Sequence, residues 1–175
     1  MDWKREISIA HLVKQKVAEV DAVGLWAHPF PNVAANEAEV IGLEENLGFS
    51  LDENMRQFLL HANGWKSFFQ SIDIFGCEDF ITGDIHNRSE KILSSLENLK
   101  ELCGFDASDL IPFAVSSDDI DVFVISKSTS STPGKVFWFA GGLVDQFPDF
   151  NEWFLSMVDY NRRQFQKMRE QSDIL

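Results

Sequence analysis

Apolar residues recur along this chain with two different periods, and the change from one to the other divides it. Over residues 7–20 the positions Ile9, Leu12, Val13, Val17 and Val20 fall at helical spacing, which predicts an amphipathic helix with those residues inward. Residues 21–33 contain Gly24, Pro29 and Pro31 and read as an irregular connection, with Leu25, Trp26 and Phe30 available to press onto a core. A second helix is expected over 36–46, capped by Asn36, with Val40, Ile41 and Leu47 inward. Glu37 and Glu39 lie in its first turn, where the helix dipole favours negative charge. Gly48 ends it. Asp52 caps a third helix whose inner face is Met55, Phe58, Leu59 and Ala62, and which stops at Asn63-Gly64.

Farther on, residues 71–75 alternate and read as a short strand closed by Gly76, while 78–87 have no clear period. Residues 89–103 read as one helix with Ile92, Leu93, Leu96, Leu99 and Leu102 on one face and Gly104 at its end. The period then becomes two: 110–115, 121–125 and 135–140 are expected strands, and Gly141-Gly142 turns into Leu143-Val144. The Ser- and Thr-rich stretch 126–134 is a polar hairpin loop. A long helix from Asp149 closes the chain, with Phe150, Trp153, Phe154, Met157, Val158 and Phe165 on one stripe and Arg162, Arg163, Lys167 and Arg169 toward its end. Asp149 and Glu152 are spaced as a capping box. The pattern predicts an α+β fold, a mostly antiparallel sheet flanked by helices with a long C-terminal helix. With no linker or repeat, residues 1–175 read as a single domain.

Several short signatures follow one another in a set order. Glu44-Glu45-Asn46-Leu47-Gly48 precedes Leu51, the Phe58-Leu59-Leu60 run and Asn63-Gly64-Trp65. Ile74-Phe75-Gly76, Ile111-Pro112-Phe113-Ala114, Asp118-Asp119, Val122-Phe123-Val124, Val136-Phe137-Trp138-Phe139 and the Phe and Trp residues of 150–154 come after. This order resembles the SUKH superfamily, which groups yeast cell-wall-synthesis regulators with bacterial immunity proteins. The resemblance covers about 34–158, leaving an extra N-terminal helix and a C-terminal helical extension. Asp52 stands where the family usually has Pro, and Met55 where it often has an aromatic residue; Asp caps a helix well and Met fills core space. The resemblance implies a largely non-enzymatic protein that works by binding partners, often toxins.

Charge sharpens the partner's chemistry. The net charge is −13 with a pI near 4.6, which argues against direct nucleic-acid binding and favours a basic partner. Between Asp73 and Asp121 there are twelve acids against three bases, Arg88, Lys91 and Lys100. The candidate partner-binding residues are therefore Asp73, Glu78, Asp79, Asp84, Asp118, Asp119 and Asp121, with Trp65 a lower-ranked aromatic contact. Asp118, Asp119 and Asp121 read as a solvated turn; a divalent-cation site is the alternative, although EF-hand spacing is absent. Sixteen Phe and five Trp beside one Tyr predict an aromatic core.

The remaining chemistry is sparse. His11, His28, His61 and His86 show no metal-ligand spacing, and neither a Gly-x-Ser-x-Gly elbow nor a phosphate-cradling loop occurs. Cys77 and Cys103 are too few for a zinc site or a disulfide framework. No signal-peptide pattern or membrane-length apolar run is present, so a cytoplasmic location is expected. The expectation is a non-enzymatic immunity protein, without cofactor or metal, that neutralises a cognate basic toxin, of which nucleases are one class. The alternative is a regulatory scaffold that binds an endogenous partner.

Overall fold

The computed structural model describes residues 1–172. Six strands form one sheet in sequence order, every neighbouring pair antiparallel. The strands are β1 (Trp65–Phe69), β2 (Ile72–Ile74), β3 (Leu110–Ser116), β4 (Asp121–Ser126), β5 (Val136–Ala140) and β6 (Leu143–Phe147). Six α-helices accompany them: α1 (Trp3–Val20), α2 (Glu37–Leu47), α3 (Glu53–Leu59), α4 (Asp84–Ser94), α5 (Leu99–Cys103) and α6 (Phe150–Ser172). The expected α+β architecture with a long final helix is what the chain adopts.

Pairing assigns the faces of the sheet. Ile74, Ala114, Phe123 and Trp138 are linked through successive cross-strand pairs and share one face. Phe123 meets Trp153 of α6 at 5.5 Å between ring centroids, so this face lies under α6. Asp73, Val115, Val122 and Phe139 share the other face, and α4 packs against β3 and β4. The aromatic excess is used under α6. Trp3 meets Phe58, Phe150 and Phe154, and Phe113 stands edge-on to Trp153 at 4.6 Å. Such offset and edge-to-face pairs add to the area they bury.

Helix α1 uses a different face from the expected one. Trp3, Ile7, Ala10, Lys14 and Val17 are buried, a regular alternation of three- and four-residue steps, while Leu12 is 59 % exposed. A lysine in the middle of the buried stripe disguises it. In α2, Leu43 is buried and Ile41 is 47 % exposed. The expected helix over 89–103 is two: α4 starts at Asp84, and the chain breaks after Ser94. There the Ser94 and Ser95 hydroxyls donate to the carbonyls of Lys91 and Ile92, and Asn98 takes φ +56°. Strand β1 escapes period two because Ser67 sits at φ +48° in a bulge.

Lys14 has a measurable consequence. It is 3 % exposed, its Nζ donates to the Ser67 carbonyl, and the Ser67 N–H donates to Asp73 Oδ1 at 2.7 Å. Burial draws the Lys14 ammonium from 10.5 down to about 8, against the pull of Asp73. Between those values the unfolded chain holds a proton that the folded one has released. Stability therefore rises with pH across this window. Relative to Lys14→Met, the natural protein should gain on the order of 2–3 kcal/mol from the lower to the upper end of it, read from urea unfolding. A difference independent of pH would refute the buried charge.

Candidate functional site

Two loops that are distant in sequence cross at one point. The α3 helix and the turn after it end at Asn63-Gly64, and β2 ends at Ile74, two residues before Gly76. A Cβ on Gly64 would lie 2.6 Å from the Gly76 nitrogen, and one on Gly76 would lie 2.6 Å from the Asn63 carbonyl oxygen. Gly64 also holds φ +87°. The Asn63 Oδ1 accepts the Cys77 N–H at 2.7 Å, and Asn32 Nδ2 donates to the Asn63 carbonyl at 2.9 Å. Trp65 pairs with Ile74 across the strands. The Asn63-Gly64-Trp65 and Ile74-Phe75-Gly76 signatures are thus two sides of one crossing.

This crossing fixes a 3₁₀ turn, Cys77–Phe80, opposite α2 and leaves a groove of about 700 Å³ between them. Glu39, Gly42 and Asn46 line it from α2, and Cys77, Glu78 and Asp79 line it from the turn, with Lys66 at its margin. Glu39 Oε2 accepts the Asn36 N–H in the N-terminal capping box of α2, and Asp79 Oδ2 accepts the Gly76 N–H. Burial, helped by the charge of Glu39, pushes the Cys77 thiol up to about 11, so its nucleophilic thiolate is disfavoured. The charged side chains lining the groove are Glu39, Glu78 and Asp79 against Lys66.

The candidate acids separate into two kinds. Glu78 and Asp84 are exposed at the 3₁₀ turn and the first turn of α4, and Asp118 and Asp119 are exposed between β3 and β4. Asp79 is half-buried beside Glu78. Lys66, Asp79 and Asp118 all act electrostatically on Asp73, the lysine against the two acids, so the 3₁₀ turn and the β3–β4 turn both lie near it. Burial holds Asp73, Asp79 and Asp121 above the ordinary carboxylate value.

Two expected contacts are corrected. Trp65 is 0 % exposed and its indole N–H donates to the Pro29 carbonyl at 3.1 Å, so it anchors the connection and presents nothing to a partner. Asp73 is 7 % exposed and its carboxylate serves the Ser67 bulge. Asp121 is half-buried, accepting the Trp138 indole N–H at 2.6 Å.

The β3–β4 turn is held without its acids. Ser116 Oγ accepts the N–H groups of Asp118 and Asp119, and it also hydrogen-bonds with Ser71 Oγ. Arg88 of α4 donates to the carbonyls of Ser116 and Asp119 at 2.6 and 2.7 Å. Asp118 Oδ1 accepts from the Ser117 hydroxyl and Asp119 Oδ1 from the Ile120 N–H. With Asp121 turned to Trp138, the three carboxylates take separate partners and do not converge. Among the described residues no group of three or more His, Cys, Asp or Glu side chains gathers to hold a metal ion.

Glu39, Gly42 and Lys66 were not singled out by sequence reasoning as site residues. The first two carry ordinary helical roles in the sequence pattern, and only the fold brings α2 against the 3₁₀ turn. None of the helices among the described residues is long and apolar enough to cross a membrane. Residues 34–156 match the model of the SMI1 / KNR4 family (SUKH-1). That span includes the Gly64–Gly76 crossing, the groove and the β3–β4 turn, and leaves out α1. Comparison with curated proteins finds no match.

Proposed function

The chain belongs to the SMI1 / KNR4 family (SUKH-1), and from that premise we propose that it is a non-enzymatic immunity protein that binds a basic toxin stoichiometrically in the cytoplasm. The observation that carries the proposal is the acidic field of Glu78, Asp84, Asp118 and Asp119, all exposed, with the half-buried Asp79 beside Glu78. Such a field speeds encounter with a positively charged surface and rejects negatively charged ones. A nuclease is the toxin class that fits best, because an enzyme acting on a phosphate backbone must present a basic groove. Covering that groove, or a site beside it, blocks the enzyme without any chemistry from the inhibitor.

Affinity capture on the tagged chain from its native cells, eluted with salt and identified by mass spectrometry, tests this reading. One basic toxin-like domain in near-equal amount is the expected result. Recovery of several housekeeping or envelope-assembly proteins would instead identify a regulatory scaffold.

A further inference from the structure

We infer that the groove between α2 and the Cys77–Phe80 turn is a docking channel for an extended protein segment carrying a basic side chain beside an apolar one. The inference rests on the reading of this chain as a partner-binding protein, and it adds where and what the partner inserts.

Gly42 is the first support. It lies within α2, where a glycine costs about 1 kcal/mol relative to alanine. Nothing in the fold asks for it: a Cβ there would meet no atom within 4 Å, and its φ is not positive. The residue lines the groove. Its one structural effect is to leave that wall bare, so that another chain can lie against the helix backbone.

Charge and shape supply the rest. Glu39, Glu78 and Asp79 face the groove against Lys66 alone. Glu39 and Asp79 each commit one carboxylate oxygen to a backbone N–H, and among the described residues the Glu78 carboxylate has no hydrogen-bond or ion-pair partner. These are acceptors placed for a guanidinium or ammonium. Asn46 lines both the groove and a second cleft of about 370 Å³, whose walls include Leu47, Phe49, Phe80 and Leu93 together with His86 and Lys127. An acidic groove beside a partly apolar one suits an extended peptide, because a small cation would use only the first.

The test uses a phage-displayed library of short random peptides selected on the natural protein. Enriched peptides should share a Lys or Arg near an apolar residue. They should lose roughly tenfold or more in affinity for Gly42→Trp, which fills the groove, and for Glu78→Lys, which reverses its charge. Both variants should keep the thermal stability of the natural protein. Selection that yields no binder, no basic preference, or peptides indifferent to both Gly42→Trp and Glu78→Lys would overturn the inference. That failure leaves the toxin reading to be judged by charge reversal at the β3–β4 turn. A basic consensus in a protein whose natural partner proves to be a housekeeping protein would keep the groove and remove the toxin.

Discussion

Gly64→Val and Gly76→Ala should each destabilise the protein by roughly 4 kcal/mol or more, enough to unfold an ordinary domain, although neither adds more than a few carbon atoms. At Gly64 two penalties combine. An L-residue at φ +87° is strained, and a Cβ would press 2.6 Å from the Gly76 nitrogen. At Gly76 the obstruction is the Asn63 carbonyl oxygen, again at 2.6 Å, and backbone cannot rotate aside as a side chain can. Parting the two loops would also break the Asn63–Cys77 hydrogen bond and pull Trp65 from its 0 % exposed site. Gly42→Ala is the internal control, expected to stabilise by up to about 1 kcal/mol because no neighbour stands in its way. Urea unfolding followed by circular dichroism reads all three. Tolerance of both crossing substitutions to within about 1 kcal/mol would show that the contact is not what closes the sheet onto α3.

Reversing Asp118 and Asp119 together to Lys should weaken partner binding by roughly tenfold to a hundredfold at low salt, with a smaller loss at high salt. The fold should survive. The turn is pinned by Ser116 Oγ on two backbone N–H groups and by Arg88 on two backbone carbonyls, none of which involves a carboxylate. Most of the lost affinity should appear as slower association, because both residues are exposed. Acidification should act in the same direction. Burial raises the proton affinity of Asp79, and a nearby cation favours its charged form. Binding should therefore weaken as pH falls through its raised range. Surface plasmon resonance across salt and pH checks both effects. Affinity unchanged by the double reversal at low salt would remove the β3–β4 turn from the interface.

Much of this architecture was legible before the structure. The strands over 110–144 stand out as short apolar runs between turns, although β3 and β4 are buried along nearly their whole length and do not alternate, and α2, α3 and α6 carry Asn36, Asp52 and Asp149 as capping side chains. Failures fall where local pattern and tertiary demand conflict. A buried lysine at position 14 rotated the expected face of α1, and a positive φ at Ser67 hid β1. Back-bonded serines at 94 and 95 split one apparent helix into two. The site was legible as charge but not as shape. Glu78, Asp79, Asp118 and Asp119 could be read from their density of negative charge. The groove beside them exists only because Gly64 and Gly76 bring α3 and β2 into contact, and spacing along the chain says nothing of that. Trp65 and Asp73 show the converse, residue types suited to an interface that the fold spends on its own support.

The most direct measurement is an activity titration of the captured basic partner with this protein. Stoichiometric neutralisation predicts that toxic activity falls linearly and vanishes at one equivalent, with the Asp118→Lys, Asp119→Lys double variant requiring an excess. Activity that persists at saturating protein, or that is lost at catalytic amounts of it, would contradict the account.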